Sequence, residues 1–211
     1  MLAYTSMRLG IVSDIHCNAA ALELAIARMG DVDELLCAGD AFYEYRFSNE
    51  VIGLLQASGA RYVLGNHENV LLDARGVRAR QAPIVDQAKV AWVARQPLSV
   101  EVDVGHGKKL LMVHASPLEP FTQYVWPRSP ELARMAEIEA DYVVLGHTHT
   151  QMVERAGRAL VINPGSTGEA RDHSNGRRLS YAVLDTATGE VLIDNFAVGD
   201  APVPEFVPVN K

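Results

Sequence analysis

The strongest constraint on the fold of this chain is where its aspartates and histidines fall. They sit, repeatedly, just past the end of a short apolar run. Asp14 and His16 follow the run 9–13, Asp40 follows 35–38, and Asn66 with His67 follows 61–64. His114 follows 110–113, and His147 with His149 follows 141–145. Apolar runs this short, closed off by a glycine or a polar side chain, read as strands buried on both faces. Between the first three runs the spacing changes. Ala20, Leu22, Ala25, Ile26 and Met29 recur at three- and four-residue steps, with Asn18 placed to cap them, and Val51, Ile52, Leu54 and Leu55 follow Ser48 in the same way. Strand–helix–strand–helix–strand in about 60 residues predicts parallel pairing with the helices outside.

The second half has a different rhythm. Helices are expected over 84–95 and 131–139, and strands over 98–104, 110–113 and 141–145. Ala156-Gly157 separates the runs 152–155 and 160–163, and residues 185–189 separate 179–184 from 191–196, so two hairpins are expected. The fold class expected is α/β: two sheets packed as a β-sandwich and flanked by helices on both sides, a four-layer αββα arrangement. Neither an internal repeat nor a linker interrupts it. The expectation is one domain over 1–211, with a core of about 7–197 and an extended tail over 199–211, where Pro202, Pro204 and Pro208 lie.

Charge and cysteine content narrow the classes further. Asp and Glu number 26 against 19 Lys and Arg, giving a formal charge of -7, which argues against broad nucleic-acid binding. No apolar run approaches the roughly 18 residues of a membrane span. The N-terminus shows no charged-then-apolar pattern. Cys17 and Cys37 cannot form a disulfide framework, so a reducing, cytoplasmic setting is expected.

The residues at the strand ends are the chemically informative ones. Strand C-termini of a sheet lie along one edge, where ligands of open α/β sheets bind. Asp14 and His16, like His147 and His149, are two apart, so in extended chain each pair points to one face. Carboxylate, imidazole and amide oxygen suit Mn, Fe, Zn or Ni. Asp14, His16, Asp40, Asn66, His114, His147 and His149 are too many for one tetrahedral site and suit two metals sharing a bridge, for which Asp40 is the natural candidate.

Asp14-Ile-His16, Gly39-Asp40, Gly65-Asn66-His67-Glu68, His114 and Gly146-His147-Thr148-His149 resemble, in order, the five motifs of the calcineurin-like metallophosphoesterases. The likeness continues through Asn163-Pro164-Gly165-Ser166 and 180–185 and is to the small prokaryotic branch of that superfamily. It implies the four-layer fold and two divalent ions, manganese foremost. One would be held by Asp14, His16, Asp40 and His149, the other by Asp40, Asn66, His114 and His147. It further implies attack on phosphorus by a metal-bridging hydroxide, with His67 assisting the leaving group.

The sequence departs from the family at Cys17, where Gly is usual, and over 41–47, which is aromatic rather than Gly-rich. Substrate contacts are therefore expected from Phe42 and Tyr45, and the Arg171-Asp172 pair resembles the Pro-Arg-Asp of related chains, which implies a phosphate contact from Arg171. Seven of the 14 aromatics lie in 42–47 and 121–126, where they either pack on one another or form a wall for an apolar or nucleobase leaving group. His173 reads as a polar-loop residue. The activity expected is hydrolysis of a phosphomonoester or phosphodiester on a small substrate. The alternatives are a dinucleoside polyphosphate or nucleotide phosphoanhydride hydrolase, and a non-catalytic protein-binding scaffold on the same fold.

Overall fold

The computed structural model describes residues 6–199, so the expected tail, Gly199 aside, lies outside the described residues. The first strand, β1 (Arg8–Val12), leads into helix α1 (Ala19–Met29), then β2 (Glu34–Cys37), α2 (Asn49–Ala57) and β3 (Arg61–Tyr62). The strands pair in parallel, β1 with β2 and β2 with β3. Asn18 and Ser48 cap the two helices, accepting from the Ala21 and Val51 amides at 3.1 and 3.2 Å. The chain's last strands, β9 (Leu179–Asp185) and β10 (Val191–Phe196), return to complete this sheet in the order β10-β9-β1-β2-β3.

The remaining strands build the second sheet. These are β4 (Ser99–Asp103), β5 (Lys109–Val113), β6 (Tyr142–Val144), β7 (Gln151–Ala156) and β8 (Ala159–Pro164), ordered β4-β5-β6-β8-β7. β5, β6 and β8 run parallel, and antiparallel β4 and β7 close the edges.

Continuous apolar runs make sense once both faces are followed. Leu9 and Ile11 of β1, Leu36 of β2, Leu110 and Met112 of β5, Tyr142 and Val144 of β6, and Ala182 and Leu184 of β9 meet between the sheets. Their neighbours point the other way. Val12, Leu35, Cys37, Tyr181 and Val183 pack under α1 and α2. Val113, Val143 and Val161 pack with Leu132 of α6 (Pro130–Arg134) and Met135 of the 3-10 turn Met135–Glu137. The alternation puts apolar groups on both faces of each sheet, which forces a helix layer onto each outer face.

Several boundaries differ from the sequence reading. The helix expected over 84–95 is α5 (Gln87–Val93), because Asp86 caps it and leaves Ile84 outside, 83% exposed. Two further helices, α3 (Asn66–Leu72) and α4 (Val77–Arg80), fill a stretch given no element. The helix expected over 131–139 stops at Arg134 and tightens into the 3-10 turn. The third strand pairs over Arg61–Tyr62 alone, then swings out so that the Leu64 amide donates to the Pro97 carbonyl at 2.9 Å.

Candidate metal centre

The strand ends converge as expected, and the two sheets contribute to one cluster. Loops after β1 and β2 deliver Asp14, His16 and Asp40, the first turn of α3 delivers Asn66 and His67, and loops after β5 and β6 deliver His114, His147 and His149. Backbone bonds lock these loops together. The Asp14 amide donates to the Gly39 carbonyl (3.0 Å) and the His16 amide to the Asp40 carbonyl (3.1 Å). The His147 amide donates to the Asp14 carboxylate (3.0 Å), and the Ser166 hydroxyl donates to the Asp14 carbonyl (2.7 Å).

Asp14, His16, Asp40, His147 and His149 all adopt positive φ, between 47° and 65°. For non-glycine residues this conformation is uncommon and clusters at functional sites. Two glycines serve instead by being small. A Cβ on Gly65 would strike the Asp40 carboxylate, and one on Gly146 would strike the Ser13 hydroxyl.

The side chains form three overlapping groups, Asp14–His16–His149, His16–Asp40–His67 and Asp40–His114–His147, within each of which candidate ligand atoms lie within 4.8 Å of one another. His149 Nε2 is 3.1 Å from His16 Nε2 and 3.3 Å from Asp14 Oδ1. His114 Nε2 is 3.0 Å from Asn66 Oδ1 and 3.3 Å from Asp40 Oδ2. The His114 Nδ1–H donates to the Ala38 carbonyl (2.7 Å), which directs Nε2 at the cluster, as expected for a ligating imidazole.

The electrostatics favour a cation. Burial pushes the His16 imidazole down to about 3 and the His147 imidazole down to about 4, so both are neutral with lone pairs available. His147 Nε2 is buried without a partner. Burial also pulls His114 down, but the adjoining Asp40 carboxylate outweighs it and raises that ring to about 10. Burial likewise opposes charge on Asp40, yet the surrounding imidazoles, His114 first, hold its carboxyl well below the usual range. Burial raises the Asp14 carboxyl, with His149 opposing. Lone pairs crowded around two buried carboxylates are a donor set that divalent cations satisfy.

The substrate-contact expectations fare unevenly. Phe42 is fully buried against Phe47, 4.9 Å between ring centroids, and has no face to offer a ligand. Its packing in the helix-side core corrects the expectation that it touches substrate. Tyr45 is 60% exposed at the tip of a tight turn closed by Tyr43 and Arg46. Tyr43 is the residue of this loop that reaches the cluster, stacked on His16 at 4.7 Å. From the other aromatic loop, Tyr124 stacks on His147 at 4.1 Å and Trp126 lies parallel to Tyr124 at 5.7 Å. Arg171 lines the pocket there, as does His173, which the sequence reading had left in a polar loop.

A model of the calcineurin-like phosphoesterase superfamily domain matches residues 7–189. The chain belongs to that superfamily. The match is consistent with the small prokaryotic branch. The chain is 33% identical over 128 residues, 53% of this chain, to the symmetrical bis(5'-nucleosyl)-tetraphosphatase of Delftia acidovorans, and spans 45% of that relative's length. Its fold is similar to a metallophosphoesterase of Sphaerobacter thermophilus, with TM-score 0.72 and 23% identity over 92% of this chain and 89% of that one. A hypothetical protein of Pyrococcus horikoshii OT3 is similar with TM-score 0.70 and 16% identity, over 89% and 87% of the two chains.

Three carboxylates around the centre of the phosphoesterase were not singled out from the sequence. The buried Glu68 accepts from the amides of Asp40 (2.9 Å), Ala41 (2.8 Å) and Gly65 (2.8 Å) and from the Tyr62 hydroxyl (2.6 Å), tying the second and third ligand loops together. Glu44 lies against His67 Nδ1. Glu169 Oε2 is 3.5 Å from His16 Nε2. Glu68 is visible in the sequence as the fourth residue of Gly65-Asn66-His67-Glu68, whereas Glu44 and Glu169 sit in loops with no periodicity to follow. Among the described residues no helix is long and apolar enough to cross a membrane.

Proposed function

We propose that this phosphoesterase hydrolyses a phosphomonoester or phosphodiester on a small substrate, using two divalent ions. Asp14, His16, Asp40 and His149 would hold one ion, and Asp40, Asn66, His114 and His147 the other. The observation that carries this reading is the chain of overlapping donor groups, linked through His16 and then Asp40. Bound there, the ions would polarise the phosphoryl oxygens and generate a nucleophile from water at neutral pH. Manganese fits the donor set, and so do iron, zinc and nickel.

The chain's own part in the reaction centres on His67. Its Nε2 is 3.6 Å from Asp40 Oδ2, and its side chain is 19% exposed, so the ring faces the cluster and reaches solvent. The His67 amide donates a hydrogen bond to Asp40 Oδ1 (3.0 Å), which fixes its backbone. The Glu44 amide donates to Nδ1 (3.1 Å) and the Glu44 carboxylate lies beside it, which orients the ring so that Nε2 would deliver a proton to the departing oxygen. Asn66 contributes an oxygen without charge, which preserves the positive character of the centre. Glu68 holds the Asp40 and Asn66 loops in register.

The second reading is hydrolysis of a dinucleoside polyphosphate or another nucleotide phosphoanhydride. The identity shared with the Delftia acidovorans tetraphosphatase supports it. Metal-depleted protein reloaded with Mn, Fe(II), Zn or Ni, and assayed on p-nitrophenyl phosphate, bis-p-nitrophenyl phosphate and diadenosine tetraphosphate, tests both. Metal-dependent turnover is expected, and the preferred substrate chooses between the readings. Silence on all three with every ion would leave the scaffold reading.

A further inference from the structure

A pocket of about 460 Å³ opens beside the metal centre, a size usual for small-ligand sites. Its lining brings together two surfaces of different chemistry. One is Tyr124 and Trp126, parallel within 5° and exposed by 49% and 44%. The other is the loop carrying Arg171 and His173, and His147 and His149 of the candidate centre line the pocket as well. Tyr124 stacks directly on His147, so the aromatic surface begins where the candidate ligands end.

That loop is built rather than loose. Buried Asp172 accepts from the Gln151 amide (3.0 Å) and from the Ser174 amide (2.7 Å), which fixes the residues on either side of it. Arg171 is tethered by Glu169 at 2.7 Å and is 59% exposed at its side chain, while the Arg177 guanidinium lies 3.1 Å from His173 Nε2. One pocket therefore holds a guanidinium, that of Arg171, and a flat aromatic surface together with two candidate metal ligands.

We propose that this pocket is a nucleoside subsite, with Tyr124 and Trp126 as the stacking platform for the base and Arg171 placed for a phosphate beyond the scissile one. The substrate class is thus a nucleoside 5'-phosphate ester or anhydride. This rests on the phosphoesterase reading and deepens it. Stacking on aromatic side chains tolerates every base, because every base presents a π-face, so the platform selects for a base without choosing among them. An arginine suits a phosphate through its planar fork of donors. In a nucleotide a pentose separates phosphate from base, and the pocket that holds the Tyr124–Trp126 surface also holds His147. The alternative role for the pair, covering His147 from solvent, would not discriminate between substrates.

Two measurements test it. The first compares kcat/KM for a thymidine 5'-(p-nitrophenyl phosphate) with that for bis-p-nitrophenyl phosphate. In Trp126→Ala the ratio should fall about tenfold, the usual loss on removing one stacking ring; an unchanged ratio would overturn the subsite. Arg171→Ala should lower turnover of diadenosine tetraphosphate more than turnover of the thymidine ester, and an equal loss on both would overturn its assignment to a second phosphate. The second measurement needs no turnover. AMP should quench tryptophan fluorescence of the wild-type protein saturably, ribose 5-phosphate should not, and Trp126→Ala should abolish the effect. Equal quenching by both ligands, or none by AMP, would sink the proposal even if the protein hydrolyses simple esters. Loss of all turnover with quenching intact would instead discard the phosphoesterase reading and keep the nucleoside site.

Discussion

At the residue scale the proposed mechanism divides the site into groups that would hold ions and groups that would act beside them. His67→Ala should lower kcat by about 100-fold or more, the usual worth of a positioned proton donor, with metal content by elemental analysis unchanged. Asp40→Asn should lower occupancy at both positions, because Asp40 is grouped with His114 and His147 and also with His16, which belongs to the other donor group. Glu44→Gln should lower kcat less than His67→Ala, and the double variant should be no slower than His67→Ala alone, since Glu44 acts through that ring. The clustering of Asp14, His16, Asp40, His114, His147 and His149 was legible in the sequence because metal chemistry restricts residue type and strand geometry restricts spacing. The arrangement of the aromatic loop 42–47 was not. The turn over 43–46 carries no Gly or Asn-Gly signal, so nothing in its sequence says that it sends Tyr43 to His16, Tyr45 to solvent and Phe42 into the core.

At the element scale what mattered was where strands stop. Because the runs are continuous, the facing of Leu9, Ile11, Leu36 and Met112 toward one core and of Val12, Leu35 and Val113 toward others was not legible, whereas the runs themselves and the four-layer plan were. The short helices were not. α3 begins at a candidate ligand, Asn66, and its first turn is held by Glu68 accepting from the Gly65 amide at 2.8 Å. A run this short has too few turns for periodicity to declare it. The same close packing gives a prediction. Gly146→Ala introduces a methyl against the Ser13 hydroxyl, and Gly146 stands next to His147. It should cost about 1–3 kcal/mol, read as a Tm several degrees lower, with weakened metal retention on dialysis.

At the scale of the whole molecule the formal charge of -7 and the site have opposite characters. The surface as a whole is acidic, while the centre gathers imidazoles around two carboxylates and has Arg171 at its mouth. Net charge describes solubility, and a bound ion governs its own neighbourhood. Ions that bind the folded chain alone also stabilise it. Adding a suitable divalent ion at 100 times its Kd should raise the stability by about 2.7 kcal/mol, or about 5–10 °C in Tm for a chain of this size, and a chelator should reverse it. A Tm indifferent to both would argue that the centre holds no ion.

The division of the donors between the sheets has a consequence for assembly. Asp14, His16 and Asp40 come from one sheet, and His114, His147 and His149 from the other. The first sheet takes β9 and β10 from beyond the second sheet's strands in the sequence, so the second sheet interrupts the first along the chain. A cation that requires both sets of donors is a coincidence detector for the docking of the two sheets. Ion capture during refolding would then report their meeting, and a chain with either sheet misregistered would be passed over by the metal.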